Sequence, residues 1–245
     1  MHYRSDFQEI NSFETKLPEY LALKVTKLSV FKPDETQTCL VEDLNLELSK
    51  KKNLLIIGRS SSGKTSLMRV MANLWPKISG KFQLQSNHPY FMPQNSYFCQ
   101  NEEFTLRQQI QFPDLEPDLS REEELKSLIS NHGLSHLLEA SENNLDVVPY
   151  KNWVKKLSPG ERQTLAFLRL FYHKPEIAFL DEASSALCVE AEAKLYQESA
   201  NYGIQLISCG HRPTLNDYHH VILTIGLPNN GWNLTENLNC KLAVV

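Results

Sequence analysis

The most informative segment of this chain is Leu54-Leu55-Ile56-Ile57-Gly58-Arg59-Ser60-Ser61-Ser62-Gly63-Lys64-Thr65. It meets the pattern G-x-x-x-x-G-K-S/T from Gly58 to Thr65. The four apolar residues before Gly58 predict a strand covered on both faces. A chance loop rich in Gly and Ser is the alternative, but a strand and a helix flank the motif as phosphate binding requires. The helix is predicted from apolar residues at helical spacing, namely Leu67, Val70, Met71 and Leu74.

Such a loop binds phosphate because its backbone N–H groups converge on phosphate oxygens and the helix N-terminus adds partial positive charge. Lys64 is predicted to reach the β- and γ-phosphates, and the Thr65 hydroxyl to bind Mg²⁺. The expected ligands are therefore a nucleoside triphosphate and its magnesium ion. The residues predicted to hold them are Gly58, Arg59, Ser60, Ser61, Ser62, Gly63, Lys64, Thr65 and Ser66.

Composition and charge limit the possible classes of protein. The 245 residues, of which 41% are hydrophobic, suit one large domain or a domain with an attached lobe. A net charge of −4 argues against broad nucleic-acid binding. The five cysteines lack metal-like spacing and are interpreted as reduced thiols in a cytosolic setting. No signal peptide and no run of about 18 apolar residues is visible, so we expect contact with a membrane only through a partner domain.

The remaining pattern predicts strands and helices in alternation. Residues 1–20 are polar and aperiodic, and we interpret them as a linker from a missing or separate membrane domain. Alternating apolar residues predict strands over 21–30 and 39–48. The character changes between about 99 and 172, where we expect a helical subdomain. Within it Ser120 is the predicted N-cap of a helix over 120–138.

Polar residues stand at four later places in the chain, each at the end of a predicted strand or at the start of a predicted helix. Gln94 comes after a short apolar strand, Asp181-Glu182 closes the buried strand 177–180, and His211 follows another strand. Between them, Ser158 and Glu161 form a capping box, S-x-x-E, with Pro159 at the first helical position. Because the carboxyl ends of parallel strands meet at one edge of a sheet, strand-end residues far apart in sequence can share one site.

This order of motifs resembles that of an ABC ATPase, the nucleotide-binding domain of ABC transporters. The resemblance covers nearly all of residues 21–235, and residues 236–245 are expected to be a C-terminal tail. It implies an α/β P-loop NTPase fold with a RecA-like mixed sheet core, an antiparallel β subdomain and an inserted α-helical subdomain. The motifs that carry it are a Walker A at 58–65, a Q-loop at Gln94, a signature at 157–161, a Walker B at 177–181 and an H-loop at His211.

Further segments are similar to subfamily D, the half-transporters of peroxisomes and lysosomes. Pro159 within the signature is similar to the branch associated with lysosomal cobalamin export, rather than to the peroxisomal acyl-CoA carriers. The resemblance implies the cytosolic face of an organelle membrane, of the lysosome or endoplasmic reticulum, with the peroxisome as the alternative. The similar segments are 53–56, 73–76, 105–113, 168–172 and 210–212.

The family resemblance implies a role for each polar position. Asp181 would hold Mg²⁺, and Glu182 would be the general base that takes a proton from the attacking water. Gln94 would sense Mg²⁺ and the γ-phosphate and couple to the membrane domains; the alternative is an ordinary loop glutamine. His211 would contact the γ-phosphate and hold the water and Glu182 in place. His219 and His220 are interpreted as surface residues.

Two further contacts with ATP follow from the resemblance. Phe31 is the predicted adenine-stacking aromatic, with a core aromatic as the equal alternative and Tyr20 as a weaker candidate. Ser158 and Gly160 would contact the γ-phosphate that a second cassette holds. Two cassettes would then pack head to tail around two ATP molecules, and the transmembrane domain of a half-transporter would be the other partner.

Three departures from the family pattern predict slow hydrolysis. Ser61 stands where glycine is usual, and a positive φ there would cost roughly 1 kcal/mol. Pro159 removes one N–H from the signature, and Cys188 stands where many relatives carry an aspartate. A soluble ABC protein of translation or repair and a regulator that binds ATP without turnover are the competing functions. A GTPase is excluded because the chain has no N/T-K-x-D motif.

Overall fold

A computed structural model describes residues 17–32, 38–75, 78–99, 104–114, 116 and 118–243. Residues 1–16 of the predicted linker and the last two residues of the predicted tail lie outside this range. No helix in the described part of the chain is both long and apolar enough to cross a bilayer.

A six-stranded sheet forms the centre of the fold, with the strand order β5-β6-β7-β3-β8-β9. All neighbouring strands pair in parallel except β8 and β9, which are antiparallel. The carboxyl ends of β3, β5, β6 and β7 therefore share one edge, as expected for a ligand-binding α/β sheet. The strands are β3 (Leu54–Gly58), β5 (Tyr90–Met92), β6 (Ile177–Asp181), β7 (Gln205–Cys209), β8 (Val221–Leu227) and β9 (Gly231–Glu236).

A separate antiparallel sheet covers one face of the central sheet. It has the order β2-β1-β4, with β1 at Leu21–Phe31, β2 at Cys39–Ser49 and β4 at Ile78–Leu84. The alternation of β3 shows why both faces are buried: Leu54 and Ile56 belong to the core under the antiparallel sheet, while Leu55 belongs to the core under the helices. The predicted buried strand is confirmed, and so are the predicted strands over 21–30 and 39–48, which pair as β1 and β2; residues 33–37 between them lie outside the described range.

Seven α-helices lie in the described part of the chain. The helix α1 follows the phosphate loop and packs under the antiparallel sheet. The helices α2 to α6 build the inserted helical region, and α7 packs with α6 in the second core. Their bounds are α1 Lys64–Met71, α2 Leu106–Gln111, α3 Glu122–Asn131, α4 Ser135–Ala140, α5 Trp153–Lys156, α6 Pro159–His173 and α7 Val189–Asn201. This arrangement confirms the predicted fold class.

The prediction that Ser120 caps a helix is wrong. Residues Leu119–Arg121 form a 3₁₀ turn, and the Asp118 carboxylate accepts both the Ser120 N–H and the Ser120 hydroxyl, at 2.9 and 2.6 Å. The α-helix begins only at Glu122. Two residues able to cap lie two positions apart here, and the one nearer the N-terminus, Asp118, caps the 3₁₀ turn.

The interpretation of His219 as a surface residue is also wrong. Its side chain is fully buried, with Nδ1 2.7 Å from the Leu215 carbonyl and Nε2 2.8 Å from the Ser208 hydroxyl. Burial lowers the pKa of His219 to about 4, so the ring is neutral at pH 7. His220 is half-buried, and its Nδ1 accepts the Asn53 N–H at 3.0 Å.

Candidate active site

The backbone of the phosphate loop is held in unusual conformations. Gly63 has φ 95°, and a Cβ there would lie 2.9 Å from the Leu40 Cβ, so only glycine fits. Ser61 has φ 63°, which is the left-handed region that costs a non-glycine residue about 1 kcal/mol. Ser61 therefore has the positive φ considered from the sequence, and the loop carries the expected strain.

Lys64 folds back over the loop that precedes it. Its side chain is buried, and Nζ donates to the carbonyls of Gly58 and Arg59 at 3.1 and 3.0 Å. The ammonium is thus fixed above the loop at the start of α1. A cation at a helix N-terminus that follows a glycine-rich turn is the donor set that a polyphosphate requires. The residues present therefore fit ATP at this position.

A hydroxyl and a carboxylate meet where the phosphate loop and β6 end. The Thr65 hydroxyl donates to Asp181 Oδ1 at 3.0 Å, and the Asp181 side chain is buried. The Cys209 thiol donates to the same oxygen at 2.8 Å. Burial, with Asp181 beside it, raises the pKa of the Cys209 thiol, which therefore stays protonated. Mg²⁺ commonly takes one or two protein oxygens and fills its shell with water and phosphate, so Thr65 and Asp181 fit that ion.

The predicted base and its neighbours come together beside this pair. Gln94 Nε2 donates to Glu182 Oε2 at 2.7 Å, and His211 Nε2 lies 3.5 Å from Glu182 Oε1. The Glu182 N–H donates to the Cys209 carbonyl at 3.0 Å. Residues that follow β5, β6 and β7 thus converge on one carboxylate, as the shared sheet edge predicted. Their catalytic and metal-binding roles stay predictions.

A cleft of about 310 Å³ joins these groups to the end of the β1–β2 hairpin. Phe31 and Tyr20 do not line it, and Tyr20 lies before the start of the 11-residue strand β1, at the end far from the cleft. Phe31 borders it only through its neighbour Lys32, so its stacking on adenine stays a prediction. The lining residues are Lys32, Leu40, Ser60, Ser61, Gly63, Lys64, Thr65, Ser66, Glu182 and His211.

The signature segment lies outside the cleft, at the start of α6. The capping box is present: the Ser158 N–H donates to Glu161 Oε2 at 2.7 Å, and the Glu161 N–H to Ser158 Oγ at 3.3 Å. Pro159 is the first residue of α6, as predicted. Ser158 and Gly160 do not line the cleft of their own chain, so their contact with a nucleotide bound by a second cassette stays a prediction.

One residue of α6 was missed by the sequence patterns. Gln163 Nε2 donates to Ser185 Oγ at 3.0 Å and to the Glu182 carbonyl at 3.4 Å, while Gln163 Oε1 accepts the Ala186 N–H at 2.8 Å. The signature helix is therefore bonded to the segment that follows the predicted base. A glutamine inside a helix gives no local signal of such a contact.

Comparisons with known proteins agree with the motifs. The family model for the ABC transporter matches residues 41–185. The lysosomal cobalamin transporter ABCD4 of Mus musculus is 36% identical over 239 residues, which are 94% of this chain and 38% of that protein. ATP-binding cassette sub-family D member 3 of Homo sapiens is 38% identical over 75% of this chain and 28% of its own length. The predicted resemblance to subfamily D is confirmed.

A solved structure supports the fold independently. A metal-chelate type ABC transporter in an inward-facing conformation superposes with a TM-score of 0.67 at 18% identity, over 89% of this chain and 84% of that one. At this identity the likeness concerns the fold alone. The chain spans 38% or less of the length of the two curated relatives described above.

Proposed function

The chain belongs to the ABC transporter family, and we propose that it is the cassette whose ATP binding and hydrolysis drive a transporter of subfamily D. One observation carries this proposal: Lys64, Thr65 and Glu182 line one cleft at one sheet edge, and Thr65 is hydrogen-bonded to Asp181 beside it. Phosphate binding, metal binding and a candidate base are thereby adjacent. The relative of Mus musculus described above is named as a transporter, which favours transport over the soluble alternative.

The residues of the cleft would have separate roles in phosphoryl transfer. Lys64 and the loop N–H groups would hold the β- and γ-phosphates, and Thr65 and Asp181 would hold the magnesium ion. When bound, that ion neutralises charge that develops on the phosphate oxygens. Because Lys64 is already fixed by the Gly58 and Arg59 carbonyls, it needs little rearrangement to meet a phosphate.

Glu182 would take the proton of the water that attacks the γ-phosphate. Gln94 and His211 engage one carboxylate oxygen each, which orients the group. A carboxylate offers about four lone-pair sites, so Glu182 can accept a proton while both neighbours stay in contact. This geometry supports hydrolysis rather than a cassette that only binds ATP.

The partners follow from the family and from the position of the signature. We infer that Ser158 and Gly160 of a second cassette cover the γ-phosphate, so that two cassettes close head to tail on two ATP molecules. A transmembrane domain of a half-transporter would be the other partner, at the cytosolic face of an organelle membrane. The relative named as a lysosomal cobalamin transporter favours the lysosome and a cobalamin-type substrate; a fatty acyl-CoA carried by a peroxisomal transporter is the alternative.

The test compares Glu182→Gln with the parent chain. The parent should hydrolyse ATP slowly with Mg²⁺, whereas Glu182→Gln should bind ATP with unchanged affinity, dimerise on ATP and lose about 100-fold or more in kcat. Phosphate release measures kcat, and light scattering measures dimerisation. Glu190→Gln, which changes an exposed glutamate of α7, is the matched control and should keep the parent rate. Turnover of Glu182→Gln at the parent rate would remove Glu182 from the mechanism.

A further inference from the structure

Arg212, the residue after His211, makes contacts that the proposed mechanism does not use. Its Nη1 donates to the carbonyls of Ser184 and Leu187 at 2.7 and 2.8 Å. The same nitrogen lies 3.0 Å from Glu192 Oε2, and the Glu192 side chain is fully buried on α7. The guanidinium therefore joins three segments: the one that carries His211, the one that follows Glu182, and α7.

The segment contacted by Arg212, residues 182–188, is here called the connecting turn. Two hydrogen bonds close it: the Ser185 N–H donates to the Glu182 carbonyl at 3.2 Å, and the Leu187 N–H to the Ser184 carbonyl at 3.1 Å. Arg212 binds the carbonyls of Ser184 and Leu187, which are the first and last residues of the second turn. Gln163 of α6 binds the Ser185 hydroxyl and the Ala186 N–H of the same turn. The position of Glu182 thus depends on two side chains distant in sequence.

Glu182 needs such support because its backbone is strained. Its φ of 49° lies in the left-handed region, which costs a residue with a side chain about 1–2 kcal/mol. Conformations of this kind persist only where the surroundings determine them, and they cluster at functional sites. Without contacts on residues 184–187, the connecting turn could relax and carry the carboxylate away from Gln94 and His211.

The buried partner explains why a cation stands at position 212. Glu192 Oε1 accepts the Thr214 hydroxyl, whereas Oε2 has no hydrogen-bond partner among the described residues and has Arg212 Nη1 at 3.0 Å as its ion-pair partner. A fully buried carboxylate is strongly destabilising without a cation. Glu192 therefore holds the guanidinium in place, and the guanidinium holds the connecting turn.

We propose that Arg212, held by Glu192, is a positioning residue that keeps the Glu182 carboxylate in register with His211. This rests on the proposed hydrolysis of ATP by Glu182. Because Arg212 is adjacent to His211 and bound to the connecting turn, the histidine and the base move as one unit. Loss of the contact should lower the rate of the chemical step and leave ATP binding, which uses the phosphate loop, unchanged.

The experiment measures kcat, the Kd for ATP and the melting temperature of Arg212→Met, Arg212→Lys and Glu192→Gln. Arg212→Met should lower kcat at least about 10-fold, with the Kd within about twofold, because misplaced catalytic groups cost rate rather than affinity. Arg212→Lys should recover part of the rate, since it keeps a cation beside Glu192. Glu192→Gln keeps the shape of the side chain and its contact with Thr214 but removes the negative charge. It therefore tests the ion pair with Arg212 if Arg212→Met does not fold.

Arg121→Met is the matched control. The Arg121 side chain is 24% exposed against 25% for Arg212, and it also pairs with one glutamate, Glu124. It should lower the melting temperature and leave kcat at the parent value. A kcat loss in Arg212→Met no larger than in this control, or a Kd that weakens in proportion to kcat, overturns the positioning role alone. Absence of turnover in the parent overturns the proposed function and this role together.

Discussion

The phosphate loop and the cluster around Glu182 line the same cleft but are built differently. The loop comes from one short segment, and Lys64 binds carbonyls only six and five residues away, at Gly58 and Arg59. The cluster joins residues far apart in the chain: Gln94 and Glu182 are 88 positions apart. Nucleotide binding is therefore encoded locally, whereas the arrangement for hydrolysis depends on the tertiary structure. Changes in the two regions should separate affinity from rate.

The largest effect is expected in the loop. Lys64→Ala removes the only cation that the loop fixes over its own carbonyls, so the Kd for ATP should weaken about 100-fold or more. Isothermal titration with Mg²⁺ and ATP, on a Glu182→Gln background that prevents turnover, measures the loss. An unchanged Kd would contradict local encoding of phosphate binding. The Arg212 variants provide the opposite case, because their Kd should stay near that of the parent.

A smaller effect is expected from acid, which lowers the folding stability through the buried His219. Its pKa is about 4 in the folded chain against 6.5 for the ordinary group, so the unfolded state binds the proton more tightly. The stability it contributes is fully present above pH 6.5 and is lost as the pH falls toward 4. Between pH 7 and 5 this amounts to about 2 kcal/mol. His132, whose pKa burial also lowers to about 4, adds a loss of the same sign.

Urea unfolding at several pH values checks this contribution. His219→Gln should be less stable at pH 7 because it loses the contacts with Ser208 and Leu215. Its free energy of unfolding should nevertheless fall less steeply between pH 7 and 5 than that of the parent. An equal slope in the two proteins would mean that another group accounts for the acid sensitivity.

The smallest effect concerns strain in the loop. Ser61→Gly relieves about 1 kcal/mol at φ 63°, and the greater freedom of glycine in the unfolded chain offsets roughly half of it. We expect a net gain of about 0.5 kcal/mol in urea unfolding and an unchanged Kd for ATP. The Ser61 side chain is exposed, so a clear loss of stability would show that its hydroxyl makes a contact that the backbone strain does not explain.

The sequence predicted best what depends on local pattern. The strand and loop at 54–65, the capping box of Ser158 and Glu161, and the strand ends at Asp181 and His211 all lie where periodicity and motif spacing placed them. Side-chain contacts across the fold escaped prediction. Gln163 and Arg212 lie in helix and loop positions with no distinctive pattern. Their partners include backbone groups of a turn that only the tertiary packing brings close to them.

Errors in the sequence reading have physical causes of the same kind. His219 follows a 3₁₀ turn and precedes another histidine, and only tertiary contacts with Ser208 and Leu215 make it a core residue. Phe31, chosen for its place at the first strand and turn before the phosphate loop, does not line the cleft, whereas Lys32 and Leu40 do, and its stacking on adenine stays a prediction. Motif spacing gives the position of a residue along the chain and not the face of the strand on which it lies.

The contact of Leu40 with Gly63 has a consequence for how a nucleotide is selected. Because no Cβ fits between them, the hairpin end that lines the cleft rests directly on the phosphate loop. In the proposed function, the distance between the sites for the base and the phosphates would therefore be set before the ligand arrives, which reduces the entropy lost on binding. A larger residue at position 63 would lengthen that distance as well as block the loop, so ligand length and loop shape are specified by the same glycine.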